Sequence, residues 1–236
     1  MTEKKSNMYS GVKTFNPIAG KCSHNCSYCS CQKGIFQFPN NKMKYSGEPR
    51  LYEPAFTPLG KNKTIFVVAQ SDLFADGVEF EWIDKVLFHC LKYDNSYMIQ
   101  TKNTQNLFNY MQSKDYRRIL PPDFILGTTI ETDNDSHINA FSGGNLTSIR
   151  SLYLSKINHD RKYITCEPLM KFNLYNMVEL VVKCKPEIVY VGFNSFSKIK
   201  LPEPSKEEAI ALIEELRKFT KVKIKTNAFR VLGDYK

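Results

Sequence analysis

The fold of this 236-residue chain is decided by residues 64–101, TIFVVAQSDLFADGVEFEWIDKVLFHCLKYDNSYMIQT. A β-branched run at Thr64–Ala69 is followed by an amphipathic helical pattern at Glu81–Leu91 and by a second apolar run at Tyr97–Thr101. Two strands joined through a helix of this length run parallel, because the helix returns the chain to the end of the sheet where it began. The segment therefore predicts an α/β protein with a parallel sheet.

The same alternation extends on both sides of this segment. It predicts further strands at Val12–Pro17, Phe124–Ile130, Tyr163–Cys166, Ile188–Gly192 and Val222–Ile224. It predicts further helices at Thr104–Gln112, Asn145–Ile157, Leu174–Lys183 and Ser205–Phe219, and an S-x-x-E capping box marks the start of the last one. Six or seven strand–helix units of this length predict a partial, open TIM-like (βα)6 barrel.

We expect residues 1–236 to form one domain with two atypical stretches. Residues 33–63 lack a clear period and contain several turn residues, so we interpret them as a helix remnant plus an insertion; these turn residues are Gly47, Pro49, Pro54 and Pro58. Residues 218–236 are a basic C-terminal segment, of which Lys218–Arg230 alternates like an edge strand whose lysines guard against aggregation.

Charge and cysteine content limit the possible classes of protein. The 33 basic and 24 acidic residues give a net charge of +9, which favours a polyanionic partner such as nucleic acid, although solvated lysine faces are also common. No apolar run is long enough to span a bilayer. The odd number of seven cysteines and the absence of a secretory leader disfavour a disulfide framework, so we expect free thiols in the cytoplasm.

Three of these cysteines, Cys22, Cys26 and Cys29, follow the first predicted strand, with three and then two residues between them. Thiols at this spacing can hold three irons of a cubane [4Fe–4S] cluster while the fourth iron stays open for chemistry. The alternative is a zinc site completed by His24, Cys31 or a distant ligand. Zinc fingers tend to pair two short cysteine clips, and the sequence has no second clip.

Polar residues recur where the predicted strands end, which is where a TIM-like barrel places its chemistry. Each of them alone is common as a helix cap or turn residue, but their recurrence at five successive strand ends favours a site. The strand ends carry Gln70, Ser71 and Asp72; Gln100, Thr101 and Lys102; Thr129, Glu131 and Thr132; Cys166 and Glu167; and Asn194 and Ser195.

The cysteine spacing resembles the cluster loop of radical S-adenosylmethionine (radical SAM) enzymes, in which an aromatic residue such as Tyr28 precedes the third cysteine. The segments SDLF, YMIQTKN, FILGTTIET, YITCEPLM and VYVGFNS resemble, in the same order, the phage Gp37/Gp68-type radical SAM family over roughly Lys13 to Ser195. The chain departs from that family where Gly-Gly-Glu-Ser is replaced by Gly192–Ser195. The pair Thr101–Lys102 also resembles the spore photoproduct lyase group.

The resemblance implies that SAM chelates the open iron and is cleaved to methionine and a 5′-deoxyadenosyl radical, which removes hydrogen from a substrate. A cofactor of this chemistry needs a cation for its carboxylate and acceptors for its amino and ribose groups. We expect Lys102 to supply the cation, Ser71 and Asp72 to accept from the amino group, and Glu131 to contact the ribose or the sulfonium side. Tyr28, Gln70, Thr129 and Asn194 complete the expected cofactor-binding set.

Two neighbouring residues are candidates for the reaction itself. Glu167 can bind substrate or position a proton, or it can be an ion-paired structural group. Cys166 can donate a hydrogen atom to a substrate radical, or it can be a small buried hydrophobe.

The expected substrate is a nucleic-acid base or nucleotide. Within residues 33–63, five aromatic side chains interleave with five basic ones, so bases can stack while lysines hold phosphates. Alternatively, the aromatics pack the insertion onto the barrel. We also expect an electron donor such as flavodoxin or ferredoxin, and the host cytoplasm if the chain is phage-encoded. The alternative functions are a radical SAM enzyme acting on a small molecule or peptide, and a non-catalytic, zinc-stabilised nucleic-acid-binding protein.

Overall fold

The computed structural model of the protein describes residues 10–113, 120–195 and 198–235. Seven parallel strands form the main sheet in the order β1-β4-β5-β6-β7-β8-β9. The strands are β1 (Lys13–Phe15), β4 (Thr64–Val67), β5 (Ser96–Thr101), β6 (Phe124–Thr129), β7 (Lys162–Cys166), β8 (Ile188–Val191) and β9 (Lys221–Ile224), and a separate antiparallel pair is formed by β2 (Ile18–Ala19) and β3 (Arg50–Leu51).

Helices connect the parallel strands and confirm the predicted α/β architecture of a partial TIM barrel. The capping box of the eighth helix is present, since Ser205 and Glu208 each bond the other's backbone. The helices are α1 (Ser30–Lys33), α2 (Pro39–Lys44), α3 (Phe80–Leu91), α4 (Thr104–Ser113), α5 (Asp135–Phe141), α6 (Thr147–Lys156), α7 (Leu174–Lys183), α8 (Lys206–Arg217) and α9 (Phe229–Leu232). Helix α5 was not predicted from the sequence.

The parallel strands bury side chains on both faces, as expected for a sheet covered by crossover helices. Alternate residues such as Ile164 and Cys166 join the large apolar core between the sheet and the helices. The residues between them, including Phe66, Met98 and Tyr163, form a smaller core on the inner face of the curved sheet. This period of two decides which residues at the strand ends face the barrel mouth.

Strand β4 ends two residues earlier than predicted. Val68 has a φ of 57°, which is rare for a β-branched residue and turns the chain out of the strand. The polar residues Gln70, Ser71 and Asp72 follow this turn. The backbone strain at Val68 therefore lies directly beside the predicted site.

The interpretation of residues 33–63 as a helix remnant plus an insertion stays a prediction, and the structure shows short regular elements within this range. The segment contains α2, and its β3 strand pairs with β2, so the chain is tied to the start of the barrel. The prediction of an edge strand over Lys218–Arg230 holds only for β9, because a 3-10 turn at Thr226–Ala228 and α9 follow it. Within the described residues, no helix is both long and apolar enough to cross a membrane.

Candidate active site at the carboxyl ends of the strands

A cavity of about 420 Å³ opens where the parallel strands end. Its volume lies within the range of small-molecule and cofactor sites. All of the predicted site residues except Glu131 and Cys166 line it: Cys22, Cys26, Tyr28, Cys29, Gln70, Ser71, Asp72, Lys102, Thr129, Glu167 and Asn194. The tertiary structure thus brings together residues that lie up to 172 positions apart in the sequence, from Cys22 to Asn194.

The three predicted cluster cysteines lie on the loop between β2 and α1. Cys26 is buried while Cys22 and Cys29 are half-buried, and all seven thiols of the chain are free. The Cys26 Sγ lies 3.1 Å from the Ser142 Oγ. The backbone of this loop is bonded to the segment after α5, because the Gly143 amide donates to the His24 carbonyl oxygen at 2.7 Å.

Different surroundings give the thiols different acidities. A hydrogen bond from the Cys31 thiol, helped by backbone amides at the start of α1, lowers the pKa of Cys29 to about 6 despite its burial. The pKa of Cys31 is raised, because its thiol donates this hydrogen bond and is buried. Burial, followed by the nearby Asp72 carboxylate, raises the pKa of Cys22 to about 12. Cys29 is therefore the most readily ionised of these three thiols.

Asp72 fixes the cysteine loop to the ends of two strands. Its Oδ2 lies 2.7 Å from the His24 Nε2 and also accepts from the Thr101 hydroxyl and the Lys102 amide. Its Oδ1 accepts from the Phe74 amide at 2.9 Å. Burial opposes ionisation of this carboxyl, but His24 and the donated bonds hold its pKa below the usual value. Asp72 lines the cavity with its acceptor sites already engaged by the protein.

Glu131 lies behind the cavity wall rather than in it, with no exposed side-chain surface. Its Oε2 accepts from Arg150 NH1 at 2.7 Å, and its Oε1 accepts from Lys102 and, at 2.9 Å each, from the Tyr28 and Thr129 hydroxyls. Burial would raise its pKa, but Arg150 and Lys102 outweigh that effect and hold the pKa at about 2. We call these five residues the Glu131 network.

Lys102 connects the Glu131 network to the cavity. Its ammonium group bonds Thr129 Oγ1 at 2.7 Å and lies 5.2 Å from the centre of the Tyr28 ring. The side chain retains 16% exposure, whereas Glu131 and Arg150 have none. Lys102 is therefore the cationic member of this network that a cavity-bound carboxylate can reach.

Arg150 is a site residue that the sequence analysis missed. It lies on the buried face of α6, which it shares with Thr147, Ser151 and Leu154. Its NH2 atom is buried with no hydrogen-bond partner among the described residues. The sequence does contain an indication of this role, because Arg150 lies at the i, i+3, i+4, i+7 spacing of a buried helix face. A charge on such a face needs a buried partner.

A second carboxylate, Glu167, lines the cavity between β7 and β9. It forms an ion pair with Lys225 and accepts from the Asn227 amide. Gly192 leaves room for this arrangement, because a Cβ there would lie 2.8 Å from both Glu167 Oε1 and Asn227 Oδ1. Lys225 and Asn227 were not among the predicted site residues, because both lie in the stretch predicted as an edge strand.

Cys166 faces away from the cavity, which corrects its expected placement beside Glu167. It is fully buried in the core between the sheet and the helices, and burial raises the pKa of its thiol. The reason is the strand period, since adjacent residues of β7 point to opposite faces of the sheet. The structure favours the alternative of a small buried hydrophobe.

The aromatic residues of the insertion are mostly used for packing. Phe36 stacks on Tyr45 with ring centres 4.3 Å apart, and the Tyr45 hydroxyl donates to Gln70 at 2.5 Å. Phe56 packs against Phe15 in the core. Of the five predicted stacking residues, Phe38 is the one with a mostly exposed side chain.

The donor set of the cysteine loop fits an iron–sulfur cluster. Three soft thiol ligands line one cavity, Ser142 is placed to bond the Cys26 sulfur, and a cation lies nearby in Lys102. Among the described residues, no three His, Cys, Asp or Glu side chains converge closely enough to hold a single metal ion.

The sequence matches one family model, described as "Protein of unknown function (DUF5131)", over residues 6–200. No curated protein sequence matches the chain. The resemblance to the phage Gp37/Gp68 family stays a prediction.

Solved structures of radical SAM enzymes share the fold. SuiB of Streptococcus suis bound to S-adenosylmethionine aligns with a TM-score of 0.57 at 12% identity, over 96% of this chain and 53% of SuiB. Spore photoproduct lyase complexed with dinucleoside spore photoproduct aligns with a TM-score of 0.52 at 13% identity, over 86% of this chain and 60% of the lyase. The chain thus spans just over half the length of these enzymes, and identities this low establish the fold alone.

Proposed function

The chain belongs to the DUF5131 family, and we propose that it is a radical SAM enzyme that modifies a nucleic-acid base or nucleotide. One observation carries this proposal: Cys22, Cys26 and Cys29 lie on a loop that lines the same cavity as the polar strand ends of a radical SAM-type fold. When bound there, a reduced [4Fe–4S] cluster would cleave SAM and so supply a radical that abstracts hydrogen from the substrate.

The residues around the cysteine loop have distinct roles in this proposal. The three cysteines hold the cluster, and Asp72 keeps their loop in place through His24. Lys102 binds the SAM carboxylate, while Arg150 keeps Glu131 neutralised when Lys102 turns toward that ligand. The remaining cavity-lining residues of the cofactor set contact the amino acid and ribose parts; they are Tyr28, Gln70, Ser71, Thr129 and Asn194.

The substrate lies against the wall formed by β7, β8 and β9. Asn227 and Lys225 hold the Glu167 carboxylate in place, and this carboxylate keeps 20% exposure toward a ligand. A carboxylate acceptor suits the exocyclic amino group of a base, and the net charge of +9 suits a phosphate backbone. A low-potential donor such as flavodoxin or ferredoxin and a reducing cytoplasm belong to the same proposal.

Anaerobic reconstitution tests the proposal. We expect wild-type protein to take up iron and sulfide, to show a [4Fe–4S]⁺ electron paramagnetic resonance signal that SAM perturbs, and to release 5′-deoxyadenosine. Cys26→Ala should lose the cluster iron. Cys184→Ala is the matched control, because Cys184 is equally buried but lies in the core beside α7.

A colourless protein that binds zinc and forms no 5′-deoxyadenosine after reconstitution would overturn the proposal in favour of the zinc-stabilised alternative. Equal cluster content in the two variants would show that the cysteine loop is not the iron site. Turnover of a peptide or small molecule, with no reaction on nucleic acid, would keep the radical chemistry and overturn the substrate assignment.

A further inference from the structure

Residues 33–43 form a mostly exposed edge beside the cavity mouth. Phe38 and Met43 are 68% and 72% exposed, and Ile35 is exposed as well. Single exposed apolar residues are ordinary, but three of this size within nine positions form a patch. Phe36 of the same segment lines the cavity, as does the preceding residue Gln32, so the patch adjoins the predicted reaction site. We call Ile35, Phe38 and Met43, with Lys33 and Lys42, the aromatic edge.

The charge around this patch has one sign. Residues 10–47 contain five lysines and neither aspartate nor glutamate. Lys33 and Lys42 are exposed, and no side-chain bond ties them to the rest of the described protein. In contrast, Lys44 donates to the Asn16 carbonyl and lies over the Tyr52 ring, so it serves the fold instead.

Phe38 and Lys42 lie one turn apart at the start of α2. Phe38 is the extended N-cap residue of this helix, and the Lys42 amide donates to its carbonyl oxygen at 2.8 Å. An exposed ring with a lysine one turn away suits a stacked base whose phosphate lies beside it.

We propose that the aromatic edge binds single-stranded nucleic acid, with a base stacked on Phe38 and phosphates held by Lys33 and Lys42. This surface deepens the proposed function and rests on it for the link to the cavity. Charge complementarity selects the occupant, because a strand supplies both planar rings and negative charge. A strand held at the mouth would place an adjacent nucleotide within reach of the cavity.

The test uses full-length, cluster-loaded protein and a fluorescein-labelled single strand of about 12 nucleotides. Fluorescence anisotropy gives its Kd from about 50 to 200 mM salt. Phe38→Ala should weaken binding about 5- to 100-fold with little change in salt dependence. Lys42→Gln should lower the slope of log Kd against log salt by about 0.7.

Matched controls lie elsewhere on the surface. Phe219 is also mostly exposed and Lys183 is an exposed lysine of α7, so Phe219→Ala and Lys183→Gln should bind like wild type. Wild-type affinity in both Phe38→Ala and Lys42→Gln would overturn the proposal. So would an equal loss in the controls, or a concentration-dependent dimer that Phe38→Ala disrupts, which would assign the patch to a second copy of the chain.

Failure of this surface is distinguishable from failure of the proposed function. Release of 5′-deoxyadenosine without nucleic acid reports on the cysteine loop and should be the same in wild type and Phe38→Ala. If 5′-deoxyadenosine is released but strand binding does not depend on Phe38, only the proposal for this surface is overturned. Binding that depends on Phe38 without release would overturn the radical chemistry alone.

Discussion

The two walls of the cavity hold their carboxylates in different ways. Behind the wall of the cysteine loop, Glu131 is fully buried between Arg150 and Lys102. On the wall of β7–β9, Glu167 keeps 20% exposure while it pairs with Lys225 and Asn227. The first carboxylate is committed to other protein groups, whereas the second retains surface that a ligand can contact. We therefore expect Glu131 to position its protein neighbours and Glu167 to contact a ligand.

The largest expected difference between the walls is in stability. Glu131→Gln leaves two cations without a counter-charge in a buried site and should lower the free energy of unfolding by about 3–5 kcal/mol. Glu167→Gln makes the same chemical change at a partly exposed pair and should cost about 1 kcal/mol. Urea unfolding monitored by circular dichroism measures both. An equal loss of unfolding free energy in the two variants would contradict the difference between the walls.

Acid should reveal the same contrast with a smaller effect. The folded-state pKa of Glu131 is about 2, below its ordinary value of 4.5. Its contribution to stability is therefore present above about pH 4.5 and is lost as the pH falls toward 2. The urea concentration at the unfolding midpoint of wild type should decrease as the pH is lowered from 5 to 3. The decrease should be smaller for Glu131→Gln. Parallel curves for the two proteins would count against an ionised Glu131.

The smallest expected effect concerns the neighbour of Glu167. Cys166→Ala removes one buried sulfur atom from the core and should cost about 1 kcal/mol in stability. Because the thiol faces the helices, cluster content and 5′-deoxyadenosine release should stay at the wild-type level. Mass spectrometry of substrate labelled in deuterated buffer checks the donor role directly. Loss of hydrogen return to the substrate in this variant would restore Cys166 to the reaction.

Local patterns predicted most of the fold. Strands β5 to β8 and helices α3, α4, α6, α7 and α8 lie where the alternation of apolar residues places them, with ends shifted by at most two residues. The helix remnant predicted within residues 33–63 was given no bounds, because the turn residues of this range obscure its period; α2 occupies Pro39–Lys44, and its proline is well placed in the first helical turn. The face of Cys166 was predictable as well, since it lies two positions after Ile164 in β7 and therefore shares the face of that residue, opposite to Tyr163.

Short periods and spacings encode the parallel sheet, the cysteine loop and the set of polar strand ends locally, so these features are predictable from the sequence. The pairing of the charges depends on the tertiary structure. Arg150 bonds Glu131 from 19 positions away, and Lys225 bonds Glu167 from 58 positions away. Strand register and helix packing bring these partners together, and no local pattern records them. The physical reason is burial, since a charge removed from water requires a partner, wherever in the chain that partner lies.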